Sequence, residues 1–146
     1  NREVKKNSEH KFDIGFFTSA LSSSDQESKS HFFSNSKFNF NEIFFSESDL
    51  EINLETVTND TYLKKYQPNS PLITSDNTLN SFISFNGYSE NSSFNLEFET
   101  YEDLSINTSD RFQYVYPNIS ISRNLNEIYN LDGDLIFSSN LYQKQY

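Results

Sequence analysis

Apolar and polar residues alternate with a period of two along most of this chain, and the segments 49–57 and 93–99 show the pattern most clearly. Their apolar positions, here called the apolar set, are Leu50, Ile52, Leu54, Phe94, Leu96 and Phe98. Their intervening polar positions, the polar set, are Glu51, Asn53, Glu55, Asn95, Glu97 and Glu99. Successive side chains of a β-strand point to opposite faces, so each segment predicts a strand with one apolar and one polar face.

Weaker alternation covers much of the remaining chain and predicts about seven strands in all, most of them about ten residues long. The further predicted strands cover 12–16, 30–40, 79–87, 111–123 and 135–141. Hairpin turns are expected at 86–91 and 132–133, and longer loops at 22–30 and 58–77. This arrangement predicts an all-β fold, an antiparallel up-and-down meander without a helix of useful length.

One proline interrupts the predicted strand 111–123. Pro117 cannot donate a hydrogen bond to a neighbouring strand, and the apolar positions change parity around it, from Tyr114 and Tyr116 to Ile119 and Ile121. An extra residue in one strand of a pair produces such a shift. Pro117 therefore implies a strand edge, a β-bulge or two strands split by a kink, and a bulge would produce the change of parity.

Composition and charge exclude several classes of protein. The chain has 146 residues and a formal net charge of −10, so it lacks the basic surface that nucleic-acid binding requires. It contains no Cys, which removes disulfides and cysteine metal sites. No run approaches the roughly 18 apolar residues of a membrane helix. A hydrophobic content of 34% is typical of disordered chains, but 15 Phe and 9 Tyr favour strands.

Strand length and aromatic content favour a membrane barrel over a soluble sandwich. Soluble strands average ~5–6 residues, whereas a tilted strand that crosses a bilayer needs ~9–11. Aromatic residues near the predicted strand ends match the interfacial girdles of such barrels. These residues are Phe44, Phe45, Tyr62, Tyr66, Tyr101, Tyr114, Tyr116 and Tyr142. On this hypothesis the apolar set faces lipid and the polar set faces the lumen.

Seven strands are too few for a closed barrel of this kind. Single-chain bacterial barrels use an even number of strands, from about 8 upward. We therefore expect residues 1–146 to form a partial β-barrel domain, an arc of a larger wall, in a fragment of a longer chain. Asn1 is not an initiator Met, and no cleavable signal sequence follows it, which adds to this expectation.

Three segments resemble one family of outer-membrane proteins in matching order. The first covers 54–66 and runs from a predicted strand into Asp60, Thr61, Tyr62, Leu63, Lys64, Lys65 and Tyr66. The second, 116–122, is a strand that contains proline, and the third, 132–140, is a strand that begins near glycine. In this order they resemble part of the C-terminal barrel of the lipopolysaccharide-assembly outer-membrane protein LptD, also called organic solvent tolerance protein.

The resemblance implies a non-enzymatic protein of the bacterial outer membrane that needs no cofactor. Members of this family form the translocon that inserts lipopolysaccharide into the outer leaflet. The partners it implies are lipopolysaccharide, outer-membrane lipids, a plug lipoprotein of the LptE type and a periplasmic bridge protein that docks through a jellyroll domain. Neither that jellyroll nor the family's cysteines occur in this sequence, so this segment alone would not transport lipid.

Two other readings stay open. Another large barrel, of the TonB-dependent receptor or autotransporter type, would have the same strand pattern. A soluble, glycan-binding β-sandwich would also show alternating strands, but it would stay monomeric in buffer without detergent.

The sequence offers few residues for catalysis or metal binding. His10 and His31 are the only histidines, and neither has a second ligand at metal-binding spacing. A Ser–His pair that includes His31, as in outer-membrane phospholipases, is conceivable. Asp132 and Asp134 flank a glycine but lack the rest of a calcium loop, so a hairpin turn is the better interpretation. The adjacent pair Lys64 and Lys65 could contact lipid phosphates or be an ordinary charged loop; we therefore predict no catalytic and no metal site.

Overall fold

The computed structural model describes residues 6–18, 28–41, 45–125 and 135–145. They form one seven-stranded sheet in which every strand is antiparallel to its neighbours and the spatial order follows the chain order. The strands are β1 (Lys6–Thr18), β2 (Ser28–Asn41), β3 (Glu47–Val57), β4 (Thr78–Ser89), β5 (Ser92–Asp103), β6 (Phe112–Asn124) and β7 (Ile136–Gln145). The predicted all-β meander is therefore confirmed.

The strands are longer than those of an average soluble domain. The shortest, β7, has 10 residues and the longest, β2, has 14. This agrees with the length predicted from the alternation and exceeds the ~5–6 residues typical of soluble strands.

The connections differ from the predictions in two places. The segment 58–77 contains a short helix, α1 (Tyr62–Tyr66), where only a loop was expected. The turn between β4 and β5 comprises only residues 90 and 91, so the expected turn residue Gly87 lies inside β4. Gly87 has a packing role there, because a Cβ atom at this position would overlap the ring of Phe45. The turn predicted at 132–133 lies outside the described residues.

Of the three alternatives for Pro117, the structure shows the β-bulge. Glu97 pairs with Asn118, whereas Glu99 pairs with Val115, so β6 contains one more residue than β5 between these two pairs. The pairing of β6 with β7 shifts over the same stretch. The ladder is interrupted at the residue that has no backbone N–H, as expected for a proline within a sheet.

The register places the apolar set and the polar set on opposite faces of the sheet. Residues directly opposite each other on paired strands share a face. One continuous row across all seven strands consists of Ser8, Phe38, Leu50, Phe85, Leu96, Ile119 and Leu141. The adjacent row on the other side consists of Glu9, Lys37, Glu51, Ser84, Glu97, Asn118 and Tyr142. We call these sides the apolar face and the polar face.

The apolar face carries no second layer among the described residues, which contain a single sheet. Several large apolar side chains on it are strongly exposed, including Phe12 (64%), Phe16 (80%) and Leu141 (62%). A monomeric soluble protein rarely exposes a continuous apolar surface of this extent. None of the described helices has the length and apolar character to cross a membrane.

A small hydrophobic core lies at one end of the sheet, where 58–77 folds over the strands. Its buried members are Phe33, Tyr62, Leu63, Leu79 and Leu104. Val57, Tyr66, Leu72 and Ile73 pack against this cluster and are partly buried. This core holds α1 against the sheet and organises the surrounding polar groups.

Candidate functional site

The segment 60–66, which carries the family resemblance, lies against the sheet. Tyr62 is 4% exposed and Leu63 is 1% exposed, because both belong to the core cluster. Lys64 and Lys65, by contrast, are exposed on α1, and the Lys65 ammonium lies 5.5 Å from the centre of the Tyr66 ring. The prediction that Tyr62 belongs to an outward-facing aromatic girdle is therefore wrong, because its ring packs inside the protein. It is also wrong for Tyr101 and Tyr142, which lie opposite Asn80 and Asn118 on the polar face and not on the apolar face that such a girdle requires.

Tyr62 is joined to the sheet through a buried histidine. His31 on β2 is 4% exposed, and its Nδ1 lies 3.0 Å from the Tyr62 hydroxyl. Its Nε2 lies 3.4 Å from a carboxylate oxygen of Asp13 on β1. These three residues, the histidine cluster, connect β1, β2 and α1. They provide a charge-supported contact between two neighbouring strands and the segment that crosses them.

The Tyr62 hydroxyl is a hydrogen-bonding group rather than a nucleophile. Burial raises its pKa above the ordinary value, and the negative charge of Asp13 raises it further. The phenol therefore stays protonated at neutral pH. His31 lies beside this hydroxyl as a base, but Tyr62 and His31 are each only 4% exposed, so a substrate has no access to the pair in this arrangement.

Gly15 makes room for the histidine cluster. It pairs with His31 across β1 and β2, and a Cβ atom at this position would overlap the imidazole ring. The same Cβ would lie 3.1 Å from the Tyr62 hydroxyl oxygen. Since the ring is buried, it has little space into which it could move. The absence of a side chain at position 15 is thus a packing requirement.

We predict that Gly15→Ala lowers the free energy of unfolding by about 1–3 kcal/mol, because overpacking displaces the buried imidazole ring. Chemical denaturation followed by tyrosine fluorescence measures this loss. In the double variant Gly15→Ala/His31→Ala the clash is absent, so the combined loss should be smaller than the sum of the two single losses. Strictly additive losses would contradict this explanation.

The Ser–His pair proposed for His31 is not observed. No serine hydroxyl among the described residues hydrogen-bonds to its ring, whose partners are Tyr62 and Asp13. The other histidine, His10, has its Nδ1 3.1 Å from the Ser36 hydroxyl on the exposed apolar face. The neighbours of His10 there are the aromatic rings of Phe12 and Phe38. This pair has the serine and the base of a catalytic triad, but its aromatic neighbours provide no acidic group to orient the imidazole.

A second polar cluster connects the residues just before α1 to β5 and to the turn that precedes β6. Arg111, 19% exposed in the short 3₁₀ turn before β6, forms two hydrogen bonds with the Asp60 carboxylate, 2.8 and 3.3 Å long. It also donates a hydrogen bond to Glu102 on β5. Hydrogen bonding to Asp60 raises the pKa of Arg111 above its ordinary value, and Glu102 adds to this rise. These residues form the arginine cluster.

Every member of the polar set takes part in a hydrogen bond across the polar face. Asn53 is central, since its amide donates to Glu55 (3.1 Å) and to the backbone oxygen of Asn80 (2.8 Å). Asn35 donates to Glu51 (2.9 Å) and to Asn53 (3.3 Å). The further bonds join Asn80 to Glu99, Asn95 to Asn86, Asn86 to Asp49 and Asn118 to Glu97. This network is what amide and carboxylate groups form on a face that water can reach.

A cleft of about 380 Å³ lies between this network and the segment 58–77. The sheet side of the cleft is lined by Lys11, Asn35, Glu51, Asn53, Glu55, Asn80 and Phe82. Pro71, Leu72 and Thr74 line the opposite side. One buried acceptor in this cleft, the side-chain oxygen of Asn80, has no hydrogen-bond partner.

Metal and cofactor chemistry finds no support in the described part of the chain. No group of three or more His, Asp or Glu side chains within it is arranged to hold a metal ion. Asp132 and Asp134, considered above for calcium, lie outside the described residues. The described residues instead form a polar, acidic surface and hold the segment 58–77 against it.

The sequence did not predict the two clusters. His31 is 31 positions from Tyr62, and Arg111 is 51 positions from Asp60, so only the tertiary fold brings them to the start of α1. One signal was present: His31 follows the polar residues of a strand start and precedes Phe32 and Phe33, where an isolated histidine suits a buried hydrogen bond.

Comparison with protein-family models, curated proteins and solved structures gave no match for this chain.

Proposed function

We propose that this chain forms part of the wall of a large outer-membrane β-barrel, with its apolar face toward lipid and its polar face toward the interior. In this arrangement the apolar set contacts lipid and the polar set lines the lumen. The chain acts by shape and surface polarity and performs no catalysis. The observation that carries the proposal is the apolar row that continues from β2 to β7 of a seven-stranded antiparallel sheet, with no second layer over it among the described residues, opposite a hydrogen-bonded polar row.

Three physical features support this assignment. Strands of 10–14 residues have the length that a tilted strand needs to cross a bilayer. A bilayer covers an apolar surface that water would not tolerate, and it explains why so little of the chain's apolar surface lies in a core. Alternation of lipid-facing and lumen-facing residues is the rule for barrel strands.

The larger barrel that we propose is the translocon that assembles lipopolysaccharide in the outer leaflet. Support comes from the ordered sequence resemblance of the segments 54–66, 116–122 and 132–140 to the LptD family. The packing of 60–66 gives a reason for that segment's pattern: Asp60 anchors, Tyr62 and Leu63 fill the core, and Lys64 and Lys65 face outward. The partners on this proposal are lipopolysaccharide, outer-membrane lipids, a plug lipoprotein of the LptE type and a periplasmic bridge protein.

Detergent dependence tests the membrane assignment. We expect the purified protein to stay folded and monodisperse in micelles or phosphatidylcholine liposomes, and to aggregate when the detergent is removed. Circular dichroism and size-exclusion chromatography measure both properties. A stable, folded monomer in plain buffer would contradict the barrel wall and would favour a soluble β-sandwich.

Lipopolysaccharide delivery tests the finer assignment. Depletion of the protein in the bacterium that encodes it should reduce the newly made lipopolysaccharide that reaches the cell surface, measured by outer-leaflet modification of labelled lipid. The amounts of unrelated outer-membrane porins provide the control. Normal delivery in depleted cells, with the protein still inserted in the outer membrane, would contradict the translocon and favour a barrel of the receptor or autotransporter type.

A further inference from the structure

Residues 58–77 cross the polar face as a segment whose backbone hydrogen bonds to other parts of the described chain lie only near its two ends, while Leu72 and Ile73 pack against the core through their side chains. Where it leaves β3, the backbone N–H of Thr58 donates to the Ser30 oxygen at 3.0 Å. Where it enters β4, the Asn77 oxygen accepts a hydrogen bond from the Leu104 N–H at 2.8 Å. These bonds tie the two ends of the segment to β2 and to the residue that follows β5.

The middle of the segment makes few bonds to the sheet. Between 68 and 76, the backbone hydrogen bonds found in the described residues join neighbours within the segment, such as Ile73 to Ser70 and Ser70 to Pro68. The contacts that hold it over the polar cleft come from the side chains of Pro71, Leu72 and Thr74. A segment with side-chain contacts but no backbone ladder belongs to the part of a structure that opens at low free-energy cost.

The histidine cluster and the arginine cluster attach the first turn of this segment from two directions. Tyr62 bonds to His31 on the β1–β2 side, and Asp60 bonds to Arg111 near β5 and β6. In the described residues, Arg111 Nε and the side-chain oxygen of Asn80 are buried and have no hydrogen-bond partner. His31 Nε2 also makes no hydrogen bond, but it faces the Asp13 carboxylate on β1 at 3.4 Å. Arg111 belongs to the arginine cluster, and Asn80 lines the cleft. Buried polar groups without hydrogen-bond partners carry a free-energy cost, and the closed arrangement bears this cost.

We propose that residues 58–77 form a lid over the polar cleft, held shut by the histidine cluster and the arginine cluster acting on the same closed state. Opening the lid exposes the cleft lined by Glu51, Asn53, Glu55 and Phe82 while the seven strands stay paired. A role of this lid as a gate on the inner side of a barrel rests on the proposed function. Closure of the lid over the cleft does not depend on that function and is measured separately.

The chain contains no cysteine, so a single engineered thiol reports on the cleft without interference. Phe82→Cys places the thiol on the sheet side of the cleft, beneath the lid. Phe82 takes part in none of the side-chain hydrogen bonds described above, so the polar network stays intact. Ser120→Cys places a control thiol on the polar face of β6, opposite Asn95, away from the cleft.

The test compares the rates at which a membrane-impermeant maleimide labels each thiol in the full protein in micelles. Removing one charged contact with Asp60→Asn should raise labelling of the Phe82→Cys thiol on the order of tenfold, the factor equivalent to about 1.4 kcal/mol. Tyr62→Phe should raise it several-fold, because a neutral hydrogen bond is weaker. Asp110→Asn is the matched control for the acidic residue, since Asp110 is exposed and, within the described part of the chain, its carboxylate hydrogen-bonds to Ser109 and not to residues 58–77. Tyr88→Phe is the control for the tyrosine, since Tyr88 lies near the opposite end of β4.

The double variant Asp60→Asn/Tyr62→Phe should multiply the two single increases, because both clusters hold one closed state. Labelling of the Ser120→Cys thiol should stay unchanged in every variant. An unchanged rate at position 82, or a parallel rise at position 120, would overturn the lid. Loss of the detergent-dependent fold would instead refute the membrane assignment, and the two failures are therefore distinguishable.

Tryptic cleavage after Lys64 and Lys65 provides a second measurement that needs no engineered thiol. Both lysines lie in α1, and a protease must unfold this turn before it can cut. Cleavage should accelerate in Asp60→Asn and Tyr62→Phe but not in Asp110→Asn. Equal cleavage rates in all of these variants would contradict the proposed closure.

Discussion

Replacing Phe33 with alanine should lower the free energy of unfolding by about 3–5 kcal/mol, the range found when a large buried aromatic side chain is removed. Phe33 is 1% exposed and is one of the two largest fully buried side chains in the described part of the chain. Its ring packs with Tyr62 and Leu63, and it lies 5.1 Å from the His31 ring, centre to centre. The loss should therefore also release α1 from the sheet.

Phe16→Ala is the matched control for this prediction. Phe16 lies on the apolar face and is 80% exposed, so the same chemical change removes few protein contacts. We expect a smaller loss than at Phe33, at most about 1.5–3 kcal/mol, because the ring loses its contact with detergent but leaves no cavity in the protein. Urea unfolding in micelles gives both values under one condition. Similar losses at both positions would show that the core at the lid does not dominate the stability of the chain.

The strands could be predicted from the sequence because their signal is local. Each stretch of alternating residues specifies its own two faces, and each strand pairs with the strand that follows it in sequence. Pro117 belongs to the same category: it has no N–H to donate, so the interruption follows from the residue itself. These features account for the agreement in strand number, strand length and the position of the bulge.

The core and the two clusters could not be predicted in the same way, since they depend on contacts between distant residues. His31 meets Tyr62 across 31 positions, and Arg111 meets Asp60 across 51. Phe33 alternates with its neighbours like many other phenylalanines in this chain. It is buried only because α1 folds over its end of the sheet. Nothing in the local pattern distinguishes it from Phe16, which stays exposed.

Gly87 shows how a local rule can give the wrong element. A glycine beside an asparagine predicts a hairpin turn, yet β4 continues for two further residues, and the turn begins at Glu90. Here glycine leaves room for a residue from another part of the chain, because the Phe45 ring occupies the space where a side chain at position 87 would lie. A missing side chain can satisfy a turn or a close packing contact, and only the tertiary structure decides between them.

The two faces of β6 offer the most direct test of which side meets lipid. Ile119 and Ser120 are adjacent near the middle of this strand, so their side chains point to opposite faces. Ile119 pairs with Leu96 and Leu141 on the apolar face, whereas Ser120 pairs with Asn95 and Asn140 on the polar face. An arginine at either position is the same chemical change at nearly the same depth.

Ile119→Arg should destabilise the inserted protein by about 2–4 kcal/mol, the cost of a lipid-facing arginine near the bilayer midplane. Ser120→Arg should cost far less, because its charge would extend over the polar face, where Ser120 lies opposite Asn95 and one pair along from Glu97 and Asn118 on the same face. Urea titration of the protein in phosphatidylcholine liposomes measures both free energies. If Ser120→Arg proved the more damaging substitution, the polar face could not line the interior. If the two were equally mild, the apolar face would not meet hydrocarbon.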